Sequence, residues 1–481
     1  MCKTFSGSAL IYLSPMVKTR FAPSPTGRFH AGVARTALFS YLWARKNNGK
    51  FILRIDDTDK ERSKKEFEDE IKEGLKFLGI DWDLEFRQSE RLEIYKKIAF
   101  RLIDEGLAYK CYCSPEELEK YREEALKKKI SPRYPKTCRT RKDSPDKPFA
   151  IRLKVPEDEL YVEFEDLVMG KLKVDTSEIE DFVLLRSDGS PTYNLASVVD
   201  DAEYKITHII RGADHISNTP KQILLFRFLG HIPEFAHIPL VLPDEGIGKL
   251  SKRAAQDVSK IYILDLKKEG FLQEAIVNHL ARLGWAFGDK EIFSKDELIQ
   301  LFDIKNIHRA PARYNFDKLY WLNSEWIKIL DDSELIKRLS DFSGMKFSED
   351  QEKKIFKILP QVKIRVRNLK EMLDMILPLF ELKGYDVEGL EKFVKTQKGK
   401  FVLQEFIKKL QDINFDGEDS KKNFDFVMKE IADKVGEKVV FVAQTLRVAL
   451  VGKLVSPPLF DVINAIGKDE ALSRIKKALE L

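Results

Sequence analysis

An imidazole and a glycine stand at the start of the first helical pattern in this chain. In Arg20–Val33, RFAPSPTGRFHAGV, an apolar run from Val17 to Phe21 leads into a Pro/Gly turn and then His30-x-Gly32. Ala34, Ala37, Leu38, Tyr41 and Leu42 follow at i, i+3, i+4, i+7 and i+8, the spacing of one apolar helix face. A strand, a tight turn and a helix N-terminus make a seat for an anion, because free N–H groups and the helix dipole face it. His30 adds a donor there. Far downstream, Lys249-Leu250-Ser251-Lys252-Arg253 flanks a serine with two lysines. Lysine acts as a point charge toward phosphate, so this pair suits the β- and γ-phosphates of ATP. A third group, Cys111-x-Cys113 with Cys138, has the residue type for metal binding.

The elements that must position these residues follow an α/β pattern. After the first helix, Phe51–Ile55 reads as a strand ending in Asp56-Asp57-Thr58-Asp59, with carboxylates where open α/β sheets bind ligands. Ser63 and Glu66 predict a capping box for a helix that buries Phe67, Ile71, Leu75 and Leu78. Residues 106–185 interrupt the pattern with the cysteines, a charged helix over Ser114–Lys129 and strand-like pieces such as Ala150–Val155. The pattern returns with Phe182–Leu185, Thr207–Ile210 and a helix from Ser217, with Pro220 near its start and Gly230 past its end. From residue 326 onward the pattern is almost purely helical, with Lys-rich faces. Lys363, Arg367 and Lys370 fall at helical spacing there, beside Arg365.

With 481 residues, the chain is long enough for three or more domains. Its 43% apolar and 33% charged composition fits a soluble, charge-rich enzyme, and no apolar run approaches a membrane span. A net charge of +5 permits a nucleic-acid partner without arguing for one. Four cysteines are too few for a disulfide scaffold and suit a reducing cytoplasm. Residues 1–15 read as an appended tail, its apolar run Ala9–Leu13 too brief for a secretory leader.

Several segments together resemble class I aminoacyl-tRNA synthetases, in detail the bacterial-type glutamyl-tRNA synthetases. They are Thr19–Gly27 (TRFAPSPTG), Ala34–Phe39 (ARTALF), Phe51–Asp59 (FILRIDDTD), Ser187–Asp201 (SDGSPTYNLASVVDD), His208–His215 (HIIRGADH) and KLSKR. The resemblance implies a multidomain α/β protein. A Rossmann-like catalytic domain would span 16–105 and 186–255, with an α/β insertion for the tRNA acceptor end at 106–185. A stem-contact domain would take 256–325. Two helical anticodon-binding domains would take 326–385 and 386–481.

The resemblance also implies roles. His30, Lys249 and Lys252 are the expected catalytic groups, and His30, Gly32, Asp214, His215, Lys249, Ser251 and Lys252 the ATP site. Arg20, Ala22, Ser24, Asp56, Tyr193, Ser197 and Arg211 are the expected glutamate pocket. In it Arg20 and Arg211 meet the side-chain carboxylate through the planar guanidinium fork. Asp56 would take the ammonium, standing where most relatives have Glu. Ser197 and Asn194 stand where some relatives have Asn and His, and Ala31 and Val33 replace the Ile and second His of the helix signature. The expected ligands are ATP with Mg²⁺, L-glutamate, tRNA(Glu) and also tRNA(Gln), for a cytoplasmic monomer. Lys363 and Arg365 are the expected anticodon contacts. Some relatives bind zinc in the insertion through a CxC pair, a third Cys and a nearby His or Tyr. The fourth position here is Thr140 and no His lies between His30 and His208. The balance favours an emptied remnant over a zinc site. The other histidines, His237 among them, show no ligand spacing and read as structural, with His215 near the adenine pocket.

Overall fold

A computed structural model of the chain describes residues 16–129, 132–243, 261–415 and 419–481. Contacts divide it into two compact units. One takes the chain up to Leu264 together with Val277–Phe316, and the other takes Asp265–Ile276 with Asp317–Leu481.

In the first unit, β1 (Lys18–Phe21), β2 (Lys50–Ile55) and β3 (Leu84–Arg87) form a parallel sheet in the order β1-β2-β3. Helix α1 (Ala31–Lys46) connects β1 to β2 and buries all five residues of its predicted apolar face. Helix α2 (Lys65–Phe77) connects β2 to β3. Its N-cap is Lys64, which makes no side-chain cap, so the expected Ser63–Glu66 capping box does not form. The entry is set instead by backbone bonds, Ser63 N–H to Asp59 O and Lys64 N–H to Pro25 O.

After α3 (Leu92–Asp104) the chain makes β4 (Ala108–Cys111), α4 (Pro115–Lys127), β5 (Ala150–Leu153), β6 (Tyr161–Asp166), β7 (Gly170–Asp175) and β8 (Val183–Leu185). Ser114 caps α4 with a complete capping box to Glu117. Then come α5 (Tyr193–Glu203), β9 (His208–Gly212), α6 (Thr219–Leu229) and β10 (Glu234–Ile238). β4, β5 and β8 pair antiparallel. A second sheet has the order β7-β6-β10-β9, in which β9, β10 and β6 run parallel. Its edge is a hairpin from the expected insertion. One buried core joins Ile52, Tyr95, Ile151, Val162, Leu184, Leu195, Phe226 and Phe235 across both halves. The Thr207 N–H donates to Lys18 O at 2.9 Å, tying the start of β9 to β1. Strand order reverses at that seam, the kind of point where α/β sheets bind ligands.

The described part of the second unit is helical. Its helices include Asp332–Ser343, Glu349–Lys363, Leu369–Phe380, Gln397–Leu410, Ser420–Val435, Val439–Val451, Leu459–Ile466 and Lys468–Leu479. Lys363, Arg367 and Lys370 do not share one helix, contrary to the spacing argument. One helix ends at Lys363, and Asn368 opens the next by accepting the Glu371 N–H. A side-chain acceptor at that point satisfies a free helix donor and favours a fresh start.

Candidate active site

A cavity of about 660 Å³ opens at the β1/β9 seam. Arg20, Ala22, Ser24, His30, Gly32, Asp56, Tyr193, Arg211, Asp214 and His215 line it. The fold thus brings to one place nearly every expected substrate residue that it describes. Ser197 is the exception: it is buried behind the cavity, where its Oγ accepts from Arg54 Nη2 at 3.0 Å. Lys249, Ser251 and Lys252 lie outside the described residues.

His30 is the N-cap of α1, in an extended conformation. Its ring rests against the backbone of Gly32, where a Cβ would come within 3.3 Å of two ring atoms. Phe29, beneath it, is buried against Gly74 of α2, where a Cβ would come within 2.3 Å of the ring. Just after the stretch 244–260, Ile261 accepts from the Ala31 N–H at 2.8 Å, while Pro243 lines the cavity. Arg35, on α1, has its guanidinium buried among carbonyls, donating to Leu283 O at 2.9 Å and to Pro239 O. Burial lowers it to about 10.

The carboxylate end of the cavity rests on a buried ionic network. Arg54 donates to both oxygens of Asp56, at 2.6 and 3.2 Å, and to Asp201 Oδ1 at 2.7 Å. Arg20 Nε donates to Asp201 at 3.3 Å. Asp200 accepts from Arg91, Gln88 and Tyr95. Three guanidinium groups thus meet three carboxylates, which is what permits charges at this depth. Burial alone would lower Arg54, but Asp56, Asp201 and Asp200 hold it well above its ordinary value. Burial dominates at Asp56 and pushes it up to about 6, against the pull of Arg54. Sequence reasoning passed over Arg54 and Asp201 as site residues, although both lie in the segments that carried the resemblance.

Arg211 is built differently. Its Nε donates to His237 Nε2 at 3.0 Å, its Nη1 to the Tyr193 hydroxyl at 3.2 Å and its Nη2 to Thr219 Oγ1 at 2.9 Å. His237 and Asp166 behind it are fully buried and carried no local signal in the sequence.

In the insertion, the Sγ atoms of Cys111, Cys113 and Cys138 lie within 4.8 Å of one another. Cys113 and Cys138 are 3.7 Å apart, close to the edge of a tetrahedron with Zn–S bonds of about 2.3 Å. Thr140 is exposed. Tyr134 stands beside the cysteines, its hydroxyl 3.3 Å from Cys111 Sγ and 3.9 Å from Cys113 Sγ. The trio and Tyr134 are a donor set that fits a zinc ion. In the second unit, Lys363 Nζ is held by Asp332 at 2.9 Å and by Leu330 O at 2.7 Å, whereas Arg365 is exposed.

An α/β core of parallel strands, a histidine at the first helix start and a helical C-terminal third define a class I tRNA synthetase. Residues 16–321 match the family of class I tRNA synthetases (E and Q), catalytic domain. Residues 334–479 match the anticodon binding domain family. The chain is 44% identical to a glutamate–tRNA ligase of Thermodesulfovibrio yellowstonii, over 97% of this chain and 100% of that one. It is 44% identical to the same enzyme of Aquifex aeolicus, over 96% and 99%. Its structure superposes with a TM-score of 0.80 on a glutamate tRNA ligase from Elizabethkingia meningosepticum solved in complex with its amino acid. That protein is 33% identical, with 96% and 99% of the two chains covered. The chain belongs to the glutamate–tRNA ligase family. No helix among the described residues is long and apolar enough to cross a membrane.

Proposed function

We propose that this chain activates L-glutamate with ATP and transfers it to the 3′-terminal ribose of tRNA(Glu). The observation that carries the reading is the shared cavity. Arg20 and Arg211, pinned from behind, line the same space as His30 and Gly32 at the start of α1. In the first step a glutamate α-carboxylate oxygen attacks the α-phosphorus, and the bond to pyrophosphate breaks. Charge builds on phosphate oxygens, so preorganised donors do the work. His30, the Gly32 backbone, Lys249 and Lys252 are assigned that role, with Asp214, His215 and Ser251 in the ATP site and Mg²⁺ arriving with ATP. In the second step the terminal 2′-hydroxyl attacks the acyl carbon, and AMP leaves.

In the glutamate site, Arg20 and Arg211 take the side-chain carboxylate, Tyr193 assists, and Asp56 takes the ammonium. Ala22 and Ser24 shape the turn, and Ser197 acts from behind through Arg54. The six-part domain division, the monomeric state and the cytoplasmic location stand as parts of this reading. Residues 106–185 would hold the tRNA acceptor end, and the helical third the anticodon. Arg365 is the exposed cation for that contact, while Lys363 acts through its bond to Asp332. A lysine there lacks the fixed planar fork that would reject a wrong third anticodon base, which supports charging of tRNA(Gln) as well. Zinc held by Cys111, Cys113, Cys138 and Tyr134 would cross-link the end of β4 to the segment around 134–138, a structural role. Glutamate-dependent ATP–pyrophosphate exchange, run with and without each purified tRNA, tests the activity. Absence of exchange under every condition would reject it.

A further inference from the structure

Arg20 and Arg211 are both held at Nε, but by groups of different charge. Arg20 Nε donates to the carboxylate of Asp201. Arg211 Nε donates to an imidazole, and among the described residues no carboxylate oxygen contacts it. We propose that His237, held by Asp166, is a positioning residue that orients Arg211 for a carboxylate and leaves its charge available to it. This rests on the reading that Arg211 meets the glutamate side chain.

The relay crosses three neighbouring strands. Arg211 on β9 and His237 on β10 are register partners, so their side chains share a face. Asp166 ends β6 and pairs with Phe235 of β10. The Asp166 carboxylate accepts the N–H groups of Val168 at 3.0 Å, Met169 at 2.8 Å and His237 at 3.1 Å. These fix it in place. Its Oδ2 lies 2.6 Å from His237 Nδ1, so Nδ1 carries the proton. Nε2 is then a lone pair, and it faces the Arg211 Nε–H at 3.0 Å and the Thr219 hydroxyl at 3.1 Å. A second proton at Nε2 would set donor against donor toward Arg211, whatever the Thr219 hydroxyl does. Burial also opposes it, holding His237 below its ordinary value.

A guanidinium has five N–H donors. His237, Tyr193 and Thr219 take three, leaving one on each terminal nitrogen. Two donors on one planar fork match a carboxylate bidentately, and an amide offers only one acceptor atom. A carboxylate in place of the imidazole would have cancelled the charge that distinguishes glutamate from glutamine. The neutral ring transmits position from Asp166 without placing its anion on Arg211.

Three variants of the full-length chain test this by ATP–pyrophosphate exchange with tRNA present. His237→Gln carries a carbonyl acceptor near the Nε2 position. His237→Asn can still donate to Asp166 but no longer reaches Arg211. Asp166→Asn keeps an oxygen for Val168 and Met169, but its amide donates to Nδ1 and drives the proton to Nε2. His237→Asn and Asp166→Asn should raise glutamate KM by about tenfold or more and shrink the preference over glutamine, as loss of one charge-orienting bond does. ATP KM should stay within about twofold, and His237→Gln should stay near wild type. Unchanged glutamate KM in folded Asp166→Asn or His237→Asn overturns the proposal. So does a rise of ATP and glutamate KM in parallel, which marks a purely structural role. Should His237→Asn fail to fold, Asp166→Asn decides the matter, with the His237 tautomer read by nitrogen NMR. Nδ–H in the native protein supports the relay, and Nε–H rejects it. Arg211→Gln separates the two layers: unaltered glutamate KM there sinks the assignment of Arg211 itself.

Discussion

Arg54 Nε, near the end of β2, lies 2.6 Å from Oδ1 of Asp56, the first residue past that strand. They stand two positions apart, so this pair is local in sequence. The same guanidinium reaches Asp201 at 2.7 Å, far away in sequence. One buried cation therefore ties the end of β2 to α5 and sets the carboxylate assigned to the substrate ammonium. Replacing Arg54 by Met strands the buried Asp56 carboxylate and leaves Asp201 only its 3.3 Å bond from Arg20. The expected loss is about 3–5 kcal/mol, measured by denaturant unfolding. A loss near zero would show that the network carries no stability.

The pH dependence follows from Asp56, which burial pushes up to about 6. Unfolded, it ionises near its ordinary 3.8. Between those values the folded chain binds the extra proton. Its contribution to stability therefore falls as pH rises through that window. Binding has the opposite sign, because the substrate ammonium needs the ionised carboxylate. Glutamate KM should climb as pH falls through about 6, and Asp56→Asn should remove that inflection. A flat KM between pH 5 and pH 8, a range bracketing the ionisation, would exclude Asp56 from the ammonium site.

His30→Ala should slow adenylate formation by roughly 10²–10³ while leaving glutamate KM little changed, the usual loss for one transition-state donor. Pre-steady-state exchange measures it. An effect confined to KM would take His30 off the phosphate.

Gly74→Ala should destabilise by about 1–3 kcal/mol through overpacking. Its Cβ would come within 2.3 Å of the Phe29 ring, which is fully buried and cannot swing aside. Because Phe29 precedes His30, ATP KM should rise as well. Thermal unfolding together with ATP titration checks both.

Protein purified without chelator should carry about one zinc per chain, bound by the three cysteines and Tyr134. Cys113→Ser should lose it, and Tyr134→Phe should weaken retention against a chelator. Metal analysis below about a tenth of an equivalent would return the cluster to an emptied remnant.

Arg365→Ala should raise tRNA KM more than glutamate KM. Lys363→Ala should also lower the melting temperature of the helical unit, because it breaks a half-buried bond to Asp332. Aminoacylation of both purified tRNAs tests this, and unchanged tRNA kinetics in both variants would remove the stretch from the anticodon surface.

Local pattern carried much of this protein. The apolar face of α1, the charged helix that begins after Ser114, the Pro220 and Gly230 boundaries of α6 and the strand that ends just before Asp56 were all legible, because each depends on residues within a turn or two. The motif segments brought the class and the cavity-lining residues with them. Where local signals competed, the reading slipped. Ser63 lost its cap to turn bonds between Asp59, Pro25 and the helix start. Asn368 split what spacing had joined across Lys363 and Lys370.

What sequence could not supply is pairing at a distance. Tyr134, which no spacing argument marked, stands beside the cysteines, its hydroxyl 3.3 Å from Cys111 Sγ at the end of β4 and accepting the Cys138 N–H. Asp166, His237 and Arg211 come from three separate segments, and none is marked by its neighbours as part of one relay. Strand register and the shared core align them, so the partner that leaves Arg211 charged was decided only when β6, β10 and β9 came together in one sheet.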